Sequence, residues 1–317
     1  MPPMIRDADI GRWVASLRPP KNAIDPRRPH AFFVEPERAE SGAVEDVATL
    51  FLVNRECPFR CLMCDLWRNT TDDRVPDGAI VEQAAFALAQ LPPAPHVKLY
   101  NAGNFFDAQA IPPGDLPHIA ELLTPFRTAI VECHPKLIGP RCLAFRDRLR
   151  PALRVAMGLE TAHPDVLRRL NKGMTLDDFE RAAGYLRCHG VGVRAFLLLQ
   201  PPFMDEAEGV EWAKRSLRYA FDVGVECCVV IPTRGGNGAM ERLRDAGLWA
   251  PPRIESLEEV LQYGVGLGRG RVFADLWDIE KLYRCPRCGP ARARRLNAMN
   301  REQAAPPPVV CDCGGNA

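Results

Sequence analysis

The fold and chemistry of this chain are indicated by one stretch, Asn54-Arg55-Glu56-Cys57-Pro58-Phe59-Arg60-Cys61-Leu62-Met63-Cys64. It follows the apolar run 48–53, which predicts a buried strand. Three thiols in the spacing C-x3-C-x2-C on one short loop can converge on a single metal centre. Thiolates are the usual ligands of iron–sulfur clusters, normally four to a cubane, so three would leave one iron open to a further ligand. The alternatives are a zinc site completed by a distant residue and three unligated thiols.

This motif resembles the signature of the radical S-adenosylmethionine (radical SAM) superfamily, which follows the first strand of a barrel. The resemblance implies that Cys57, Cys61 and Cys64 hold a 4Fe-4S cluster. In that family the open iron binds the amino and carboxylate groups of S-adenosylmethionine (SAM), and reductive cleavage of SAM yields a 5′-deoxyadenosyl radical. An aromatic residue usually precedes the third cysteine; this chain has Met63, which can fill the same space. We therefore expect a radical SAM enzyme.

The composition indicates one large α/β domain with small appendages. At 317 residues the chain is long enough to bury a sizeable core. Its formal net charge of +1 gives no overall field that would attract nucleic acid or an acidic membrane. Twelve cysteines, with no signal-peptide pattern in residues 1–9, favour a reducing compartment and metal ligation over disulfides. No run of about 18 apolar residues occurs either, so we expect a cytoplasmic protein without a membrane partner.

Predicted strands and helices alternate from residue 46 to about 278. The strands are predicted at 48–53, 96–100, 128–132, 153–158, 192–199 and 226–231, with a last short one at 271–274. Such alternation implies parallel strands joined by right-handed crossovers, and strands this apolar are buried on both faces. Six repeats after a loop that resembles the radical SAM signature favour the α/β fold of that superfamily, a partial (β/α)6 TIM-like barrel.

Three regions are expected along the chain. Residues 1–45 are interpreted as an N-terminal arm that lies on the main domain, with a short helix at 10–17 and little periodicity in 21–40. Residues 46–280 form the radical SAM partial barrel. Residues 281–317 form a small C-terminal cysteine-rich metal-binding module.

Polar residues after the second and fourth strands are candidates for binding SAM, because chemistry in such barrels sits at the carboxyl ends of the strands. Asn101, Gly103 and Asn104 occupy the place where many superfamily members have Gly-Gly-Glu. The two amides could accept hydrogen bonds from the SAM amino group, and Gly103 permits close backbone approach. Glu160 is placed to bind ribose hydroxyls.

The fifth strand supplies two further candidates for the SAM site. Arg194 could form a fork to the SAM carboxylate, with a surface salt bridge as the alternative. Gln200 could meet the adenine or the ribose.

Candidates for substrate contact follow the third and sixth strands. Glu132 could bind a hydroxyl or accept a proton, with a buried ion pair as the alternative, and His134 is more simply a structural histidine than a base. Arg234 and Gly235 lie in the glycine-rich loop 231–238, whose backbone amides could cradle a phosphate or contact substrate or cofactor.

A second set of cysteines, Cys285, Cys288, Cys311 and Cys313, lies near the C-terminus. Two pairs of this kind resemble the knuckles of a zinc ribbon. An auxiliary iron–sulfur cluster and a metal-free group are the alternatives. The arginines between the pairs, at 292, 294 and 295, could track RNA phosphates or form a solvated basic face.

The resemblance can be narrowed within the superfamily. The segments 158–167 and 171–175 resemble the branch that contains the elongator catalytic subunit and tRNA methylthiotransferases, whereas 99–107 and 131–132 resemble the radical subunit of archaeosine synthase. That relative acts on a lysine adduct of a deazaguanine base in tRNA. The resemblance implies SAM, tRNA and an electron donor such as flavodoxin or ferredoxin as partners. The alternatives are a radical SAM enzyme acting on a small metabolite or peptide, and a non-catalytic zinc- and RNA-binding protein.

Overall fold

The computed structural model describes residues 9–313, and the expectation about a signal segment in residues 1–9 lies almost wholly outside this range. Eight strands form one curled sheet in which they lie in chain order. They are β1 (Ala31–Arg38), β2 (Val44–Leu52), β3 (His96–Asn101), β4 (Thr128–Glu132), β5 (Ala152–Glu160), β6 (Gly192–Leu199), β7 (Cys227–Pro232) and β8 (Arg271–Ala274). The strands from β2 to β8 are parallel, so the predicted partial barrel is confirmed.

The helices of the described chain are α1 (Ile10–Ser16), α2 (Ala79–Leu88), α3 (Asp115–Leu122), α4 (Pro140–Arg146), α5 (Pro164–Arg169), α6 (Leu176–Cys188), α7 (Glu206–Asp222), α8 (Ala239–Asp245), α9 (Ile254–Gly266) and α10 (Gly289–Glu302). Helices α2 to α9 lie in the connections between the parallel strands, whereas α1 precedes β1 and α10 follows β8. No helix within residues 9–313 is both long enough and apolar enough to cross a membrane.

The main core lies between the outer face of the sheet and these helices. Val97 and Leu99 of β3 are fully buried there, together with side chains such as Phe179 of α6 and Leu257 of α9. Side chains alternate along a strand, so Lys98 and Tyr100 point to the inner face. The inner face is thus partly charged, whereas strands apolar on both faces were expected. These buried charges are tolerated because they are paired.

Strand β1 lies in the stretch for which no regular element is predicted. It runs antiparallel to β2 along its whole length, from Ala31 opposite Phe51 to Arg38 opposite Val44. Glutamates and Pro36 interrupt an alternating apolar pattern in this strand, so its sequence lacks the usual signal. Backbone pairing with β2 and ion pairs across the inner face hold it in place, and both depend on tertiary structure.

Candidate active site

The cysteine loop, residues 54–64, leaves the carboxyl end of β2 and is fixed by residues from distant parts of the chain. The Asn237 amide donates to the carbonyls of Leu62 and Cys64, at 2.8 and 3.2 Å. The Asn171 amide donates to the Arg60 carbonyl at 2.7 Å. These bonds satisfy backbone groups of an irregular buried loop. Neither asparagine was predicted from the sequence. Their amides contact only backbone groups of the loop, so no particular side chain of the loop points to them.

The N-terminal arm also braces this loop. Ile10 and Val14 of α1 are buried in a second apolar cluster that contains Leu62 of the loop, with Met63 packed against it. Glu56 accepts from Arg18 at 2.6 Å and pairs with Lys21 at 2.9 Å, which ties the segment after α1 to the loop. The described part of the arm therefore contacts the cysteine loop.

The three thiols of the loop lie at the barrel mouth. Cys61 is buried, whereas Cys57 and Cys64 are half-buried. Burial raises the pKa of the Cys61 thiol to about 11, and it also raises the pKa of Cys57 and Cys64. These groups would have to release protons to bind metal, since the thiolate is the ligand. The Asn104 amide donates to the Cys57 sulfur at 3.3 Å.

Two buried amides at the carboxyl ends of β3 and β6 fit a polar ligand. Asn101 ends β3 and is 3% exposed, and among the described residues neither of its amide atoms has a hydrogen-bond partner. Gln200 follows β6 and is equally buried. The oxygen of its side-chain amide also lacks a hydrogen-bond partner within residues 9–313. Buried polar atoms normally find partners, and exceptions need an explanation. The donors and acceptors of SAM would satisfy them.

Gly103 and Asn104, the other two predicted residues of the loop after β3, help to pack the cysteine loop. Asn104 accepts from the backbone N–H of His134 at 2.7 Å and donates to Cys57, so both ends of its amide are engaged. A Cβ at Gly103 would lie 2.3 Å from the Asn54 amide nitrogen, so this glycine makes room for Asn54. Of the three predicted residues, Asn101 is the one with free hydrogen-bonding capacity.

Arg194 does not reach the barrel mouth, contrary to its predicted role. It lies near the start of β6, where its guanidinium pairs with both carboxylate oxygens of Glu37 from β1. Lys98 also binds Glu37, at 2.6 Å. Burial alone would raise the pKa of Glu37, but the charges of Arg194 and Lys98 outweigh it and hold this pKa well below its usual range. Arg194 is thus a structural partner of β1, and its surface salt-bridge alternative is wrong as well because it is 4% exposed.

Glu160 and Lys172 form an ion pair beside the cysteine loop. Their charged atoms are 2.7 Å apart, and their side chains are only 8% and 12% exposed. Glu160 has a left-handed backbone with φ of 64°, a strained conformation typical of functional sites. A Cβ at Gly158 would lie 2.5 Å from the Lys172 nitrogen, so that glycine leaves room for the pair.

Lys172 was not a candidate from the sequence. Burial would lower its pKa, but the neighbouring Glu160 carboxylate raises that pKa above its usual value, so the ammonium is retained. A buried cation among a carboxylate and two cysteines can hold an anionic group such as a carboxylate. The signal that could have found it is the segment 171–175, which was noted for its resemblance to other proteins without a role for the lysine.

His134 has a structural role. Its ring stacks on Phe59 with centroids 3.8 Å apart, its Nδ1 accepts from the Lys136 N–H, and its Nε2 contacts the Lys172 carbonyl at 2.9 Å. Burial, followed by the charge of Lys172, lowers the pKa of His134 to about 4. The neutral ring is therefore fully engaged within the protein and is not placed to contact substrate.

Glu132 ends β4 on the inner face of the barrel, next to Asn101, whose backbone N–H donates to it. Burial raises the pKa of Glu132 to about 8. The buried ion pair considered for this residue is not formed, because no cation within residues 9–313 makes a salt bridge with it. A neutral carboxyl at the mouth can donate a hydrogen bond as well as accept one.

The glycine-rich loop after β7 does not present a free phosphate cradle. The backbone N–H groups of Gly236 and Gly238 both donate to the carboxylate of Glu241, which occupies the place of an anion. A Cβ at Gly235 would lie 2.6 Å from the same carboxylate. Arg234 is bound to Asp275 at 2.7 Å. The loop is therefore closed on an internal carboxylate.

The four C-terminal cysteines converge. All four sulfur atoms lie within 4.8 Å of one another, and those of Cys288 and Cys313 are 3.8 Å apart. Of the three arginines of α10 considered above, Arg294 is exposed, but the other two do not belong to a solvated basic face. Arg292 and Arg295 are 4% and 7% exposed and bind the buried carboxylate of Glu258.

Comparison with curated proteins finds similarity over part of the chain. The chain is 31% identical over 171 residues to archaeosine synthase subunit beta of Thermococcus kodakarensis, covering 52% of this chain and 53% of that protein. It is 22% identical over 254 residues to an uncharacterised protein of Methanocaldococcus jannaschii, covering 75% of this chain and 70% of that protein. The chain thus spans about half the length of the archaeosine synthase subunit. No family model matches it.

Two solved structures share the fold. The archaeal Methanocaldococcus infernus Elp3 matches with a TM-score of 0.51 and 14% identity over 79% of this chain and 63% of that chain. Streptococcus suis SuiB bound to S-adenosylmethionine matches with a TM-score of 0.50 and 13% identity over 71% of this chain and 49% of that chain. These likenesses show that the chain shares the fold of these two proteins, and its C-x3-C-x2-C loop follows the first parallel strand of that fold.

Proposed function

We propose that this chain holds a 4Fe-4S cluster on Cys57, Cys61 and Cys64, binds SAM beside it, and modifies a purine-type base in tRNA. The observation that carries the SAM site is the buried amide of Asn101, which lacks partners among the described residues and ends the strand next to the cysteine loop. The sequence similarity to archaeosine synthase subunit beta supports the choice of tRNA. The cluster and SAM would together supply radical hydrogen abstraction.

The chain's own residues divide the binding of SAM between them. Asn101 would accept from the amino group, and Lys172 would hold the carboxylate because it is the buried cation beside the cysteine loop. Glu160 and Gln200 would bind the ribose and the adenine from the ends of β5 and β6. Glu132 would contact substrate as a neutral carboxyl that faces the mouth. The barrel wall keeps water from this group of side chains.

The cluster is tested by anaerobic reconstitution of the full chain. The wild type should show cubane absorbance with matching iron and acid-labile sulfide, and should form 5′-deoxyadenosine from SAM and a reductant. The variant with Cys57, Cys61 and Cys64 all changed to Ala should lose all three signals. Cys188→Ser is the matched control, since Cys188 is an exposed cysteine at the end of α6. Zinc without iron or sulfide in the wild type would show the cluster assignment to be wrong.

The substrate is tested by incubating the reconstituted protein with bulk tRNA, SAM and a reductant. Nucleosides are then compared by mass spectrometry with those from the triple cysteine variant. A mass change in a purine-type nucleoside that requires all three cysteines supports the proposal. Production of 5′-deoxyadenosine with unchanged nucleosides and no tRNA binding would redirect the assignment to a small metabolite or peptide.

We also propose that the C-terminal cysteine group binds one zinc ion. Zinc–sulfur bonds of about 2.3 Å around a tetrahedral ion place the sulfur atoms about 3.8 Å apart. The separation between Cys288 and Cys313 has this value, and all four sulfur atoms fit a single ion. In a cubane each thiolate binds a different iron, which requires a wider group.

Elemental analysis of anaerobically purified protein tests the zinc site. The wild type should contain about one zinc ion per chain. Cys288→Ser should lose the zinc while it retains the iron and sulfide of the first cluster. Sulfide in excess of one cubane, lost in the same variant, would instead show an auxiliary iron–sulfur cluster.

A further inference from the structure

One large aromatic side chain at the barrel mouth is exposed. Trp277 leaves 64% of its surface accessible, whereas Trp67 and Trp249 are 4% exposed. It follows β8 by three residues and so lies at the carboxyl end of the parallel strands, the end from which the cysteine loop leaves β2. An exposed indole at this end is available to a molecule that enters the mouth.

The backbone of Trp277 is held from both sides. Its N–H donates to Asp275 at 3.0 Å, and its carbonyl accepts from Arg234, which pairs with Asp275. The next residue, Asp278, has a left-handed φ of 52°, which a non-glycine residue adopts only when its surroundings impose it. The indole is thus exposed on an ordered turn.

Arg234 connects this turn to the cysteine loop. Arg234 belongs to the glycine-rich loop 231–238, which contacts Arg68, four residues after Cys64. Arg68 itself donates to the carbonyl of Gly236, two residues beyond Arg234. Trp277 and Arg234 are therefore joined through this loop to the segment that follows the third cysteine.

We infer that Trp277, with Arg234 beside it, is a stacking platform for a base of the RNA substrate at the barrel mouth; this inference rests on the proposed function. Bases that leave a helical stack are bound on aromatic rings and on arginine planes. The net charge of +1 gives little general attraction for phosphates, so stacking would carry much of the affinity.

The inference is tested by measuring tRNA binding to the reconstituted full chain by fluorescence anisotropy of a labelled tRNA. Trp277→Ala should weaken binding about 5- to 100-fold, the range found when a stacked base loses its aromatic partner. Trp277→Phe, which keeps an aromatic face, should bind close to the wild type. Phe86→Ala is the matched control, because Phe86 is 37% exposed with Arg28 at 4.3 Å over its ring, on the outer helix α2. Circular dichroism and cluster absorbance verify that each variant is folded.

The outcomes separate this inference from the proposed function. Equal affinities of Trp277→Ala and the wild type would overturn the stacking platform and leave the tRNA proposal standing. Equal loss in Trp277→Phe and Trp277→Ala would also overturn it, because a phenyl ring preserves stacking. An absence of tRNA binding by the wild type would contradict the tRNA proposal and this inference together.

Discussion

At the barrel mouth, the role of a side chain is set by the residues that it contacts in the fold more than by its neighbours in the sequence. Asn104 was a candidate for binding SAM, but its amide is used by Cys57 and His134. Lys172, twelve residues after Glu160 in the chain, forms the ion pair with it. A strand-end position can be predicted from periodicity, but the atom that a side chain contacts there depends on the loops that surround it.

We predict that Lys172→Met lowers the free energy of unfolding by about 3 kcal/mol, because it leaves the buried Glu160 carboxylate without its cation. The measurement is urea unfolding of the metal-free chain. The double variant Glu160→Gln with Lys172→Met should lose less than the sum of the single variants. Lys136→Met is the control; Lys136 is 47% exposed and 3.6 Å from Asp178, so its loss should cost less than about 1 kcal/mol. Equal effects of the two lysine variants would contradict the prediction.

We predict that Glu132 makes the protein less stable as pH rises from about 4.5 to about 8. The folded state keeps the carboxyl protonated up to about pH 8, whereas the unfolded chain releases the proton near 4.5. Its contribution is therefore complete below pH 4.5 and is lost toward pH 8. Glu132→Gln should equal the wild type at pH 4.5 and exceed it at pH 8 by on the order of 1–3 kcal/mol in urea unfolding. An identical pH profile in both proteins would show that Glu132 titrates normally.

At the level of elements, helix α1 connects the N-terminal arm to the cysteine loop. Its periodicity predicts the helix, and the structure places Val14, which is fully buried, in the apolar cluster that contains Leu62. What the helix packs against could not be predicted, because its apolar face shows only that a partner exists. The glycine-rich loop 231–238 shows that a local pattern can also mislead. Its composition suggests an anion site, but the Glu241 carboxylate already accepts the hydrogen bonds that an anion would need.

We predict that Val14→Asp releases α1 from the cysteine loop, because a carboxylate cannot be buried unpaired among apolar side chains. Limited trypsin digestion should cut faster at Arg12, within α1, and iron retained per chain after reconstitution should fall. Ala15→Asp, on the exposed face of the same helix, should change neither. Digestion rates that are equal in the two variants would mean that α1 does not brace the loop.

At the scale of the whole molecule, β1 completes the sheet and places a charged side chain on its inner face. Glu37 of β1 reaches across the barrel to Arg194 of β6 and Lys98 of β3. This network explains why β1 remains fixed although its sequence is rich in charge and contains Pro36. It also explains why Arg194, expected at the SAM site, is placed near the opposite end of its strand.

We predict that Glu37→Gln lowers the free energy of unfolding by about 3 kcal/mol, because Arg194 then stays buried without its carboxylate. Glu35→Gln is the control on the same strand; Glu35 also pairs with Lys98 but is 42% exposed, so its loss should cost less than about 1 kcal/mol. Guanidinium unfolding measures both. A loss for Glu37→Gln no larger than for Glu35→Gln would show that the network does not anchor β1.

The sequence by itself determined the cysteine loop and the alternation of strands and helices. The strands at Thr128–Glu132, Gly192–Leu199 and Arg271–Ala274 agree with their predicted bounds, because side-chain periodicity and turn residues are properties of near neighbours. Only the tertiary structure decided the addition of β1, the engagement of Arg194 and Asn104, and the unpartnered amide of Asn101 within the described residues. These depend on which strands meet and in what register, and residues far apart in the chain determine that.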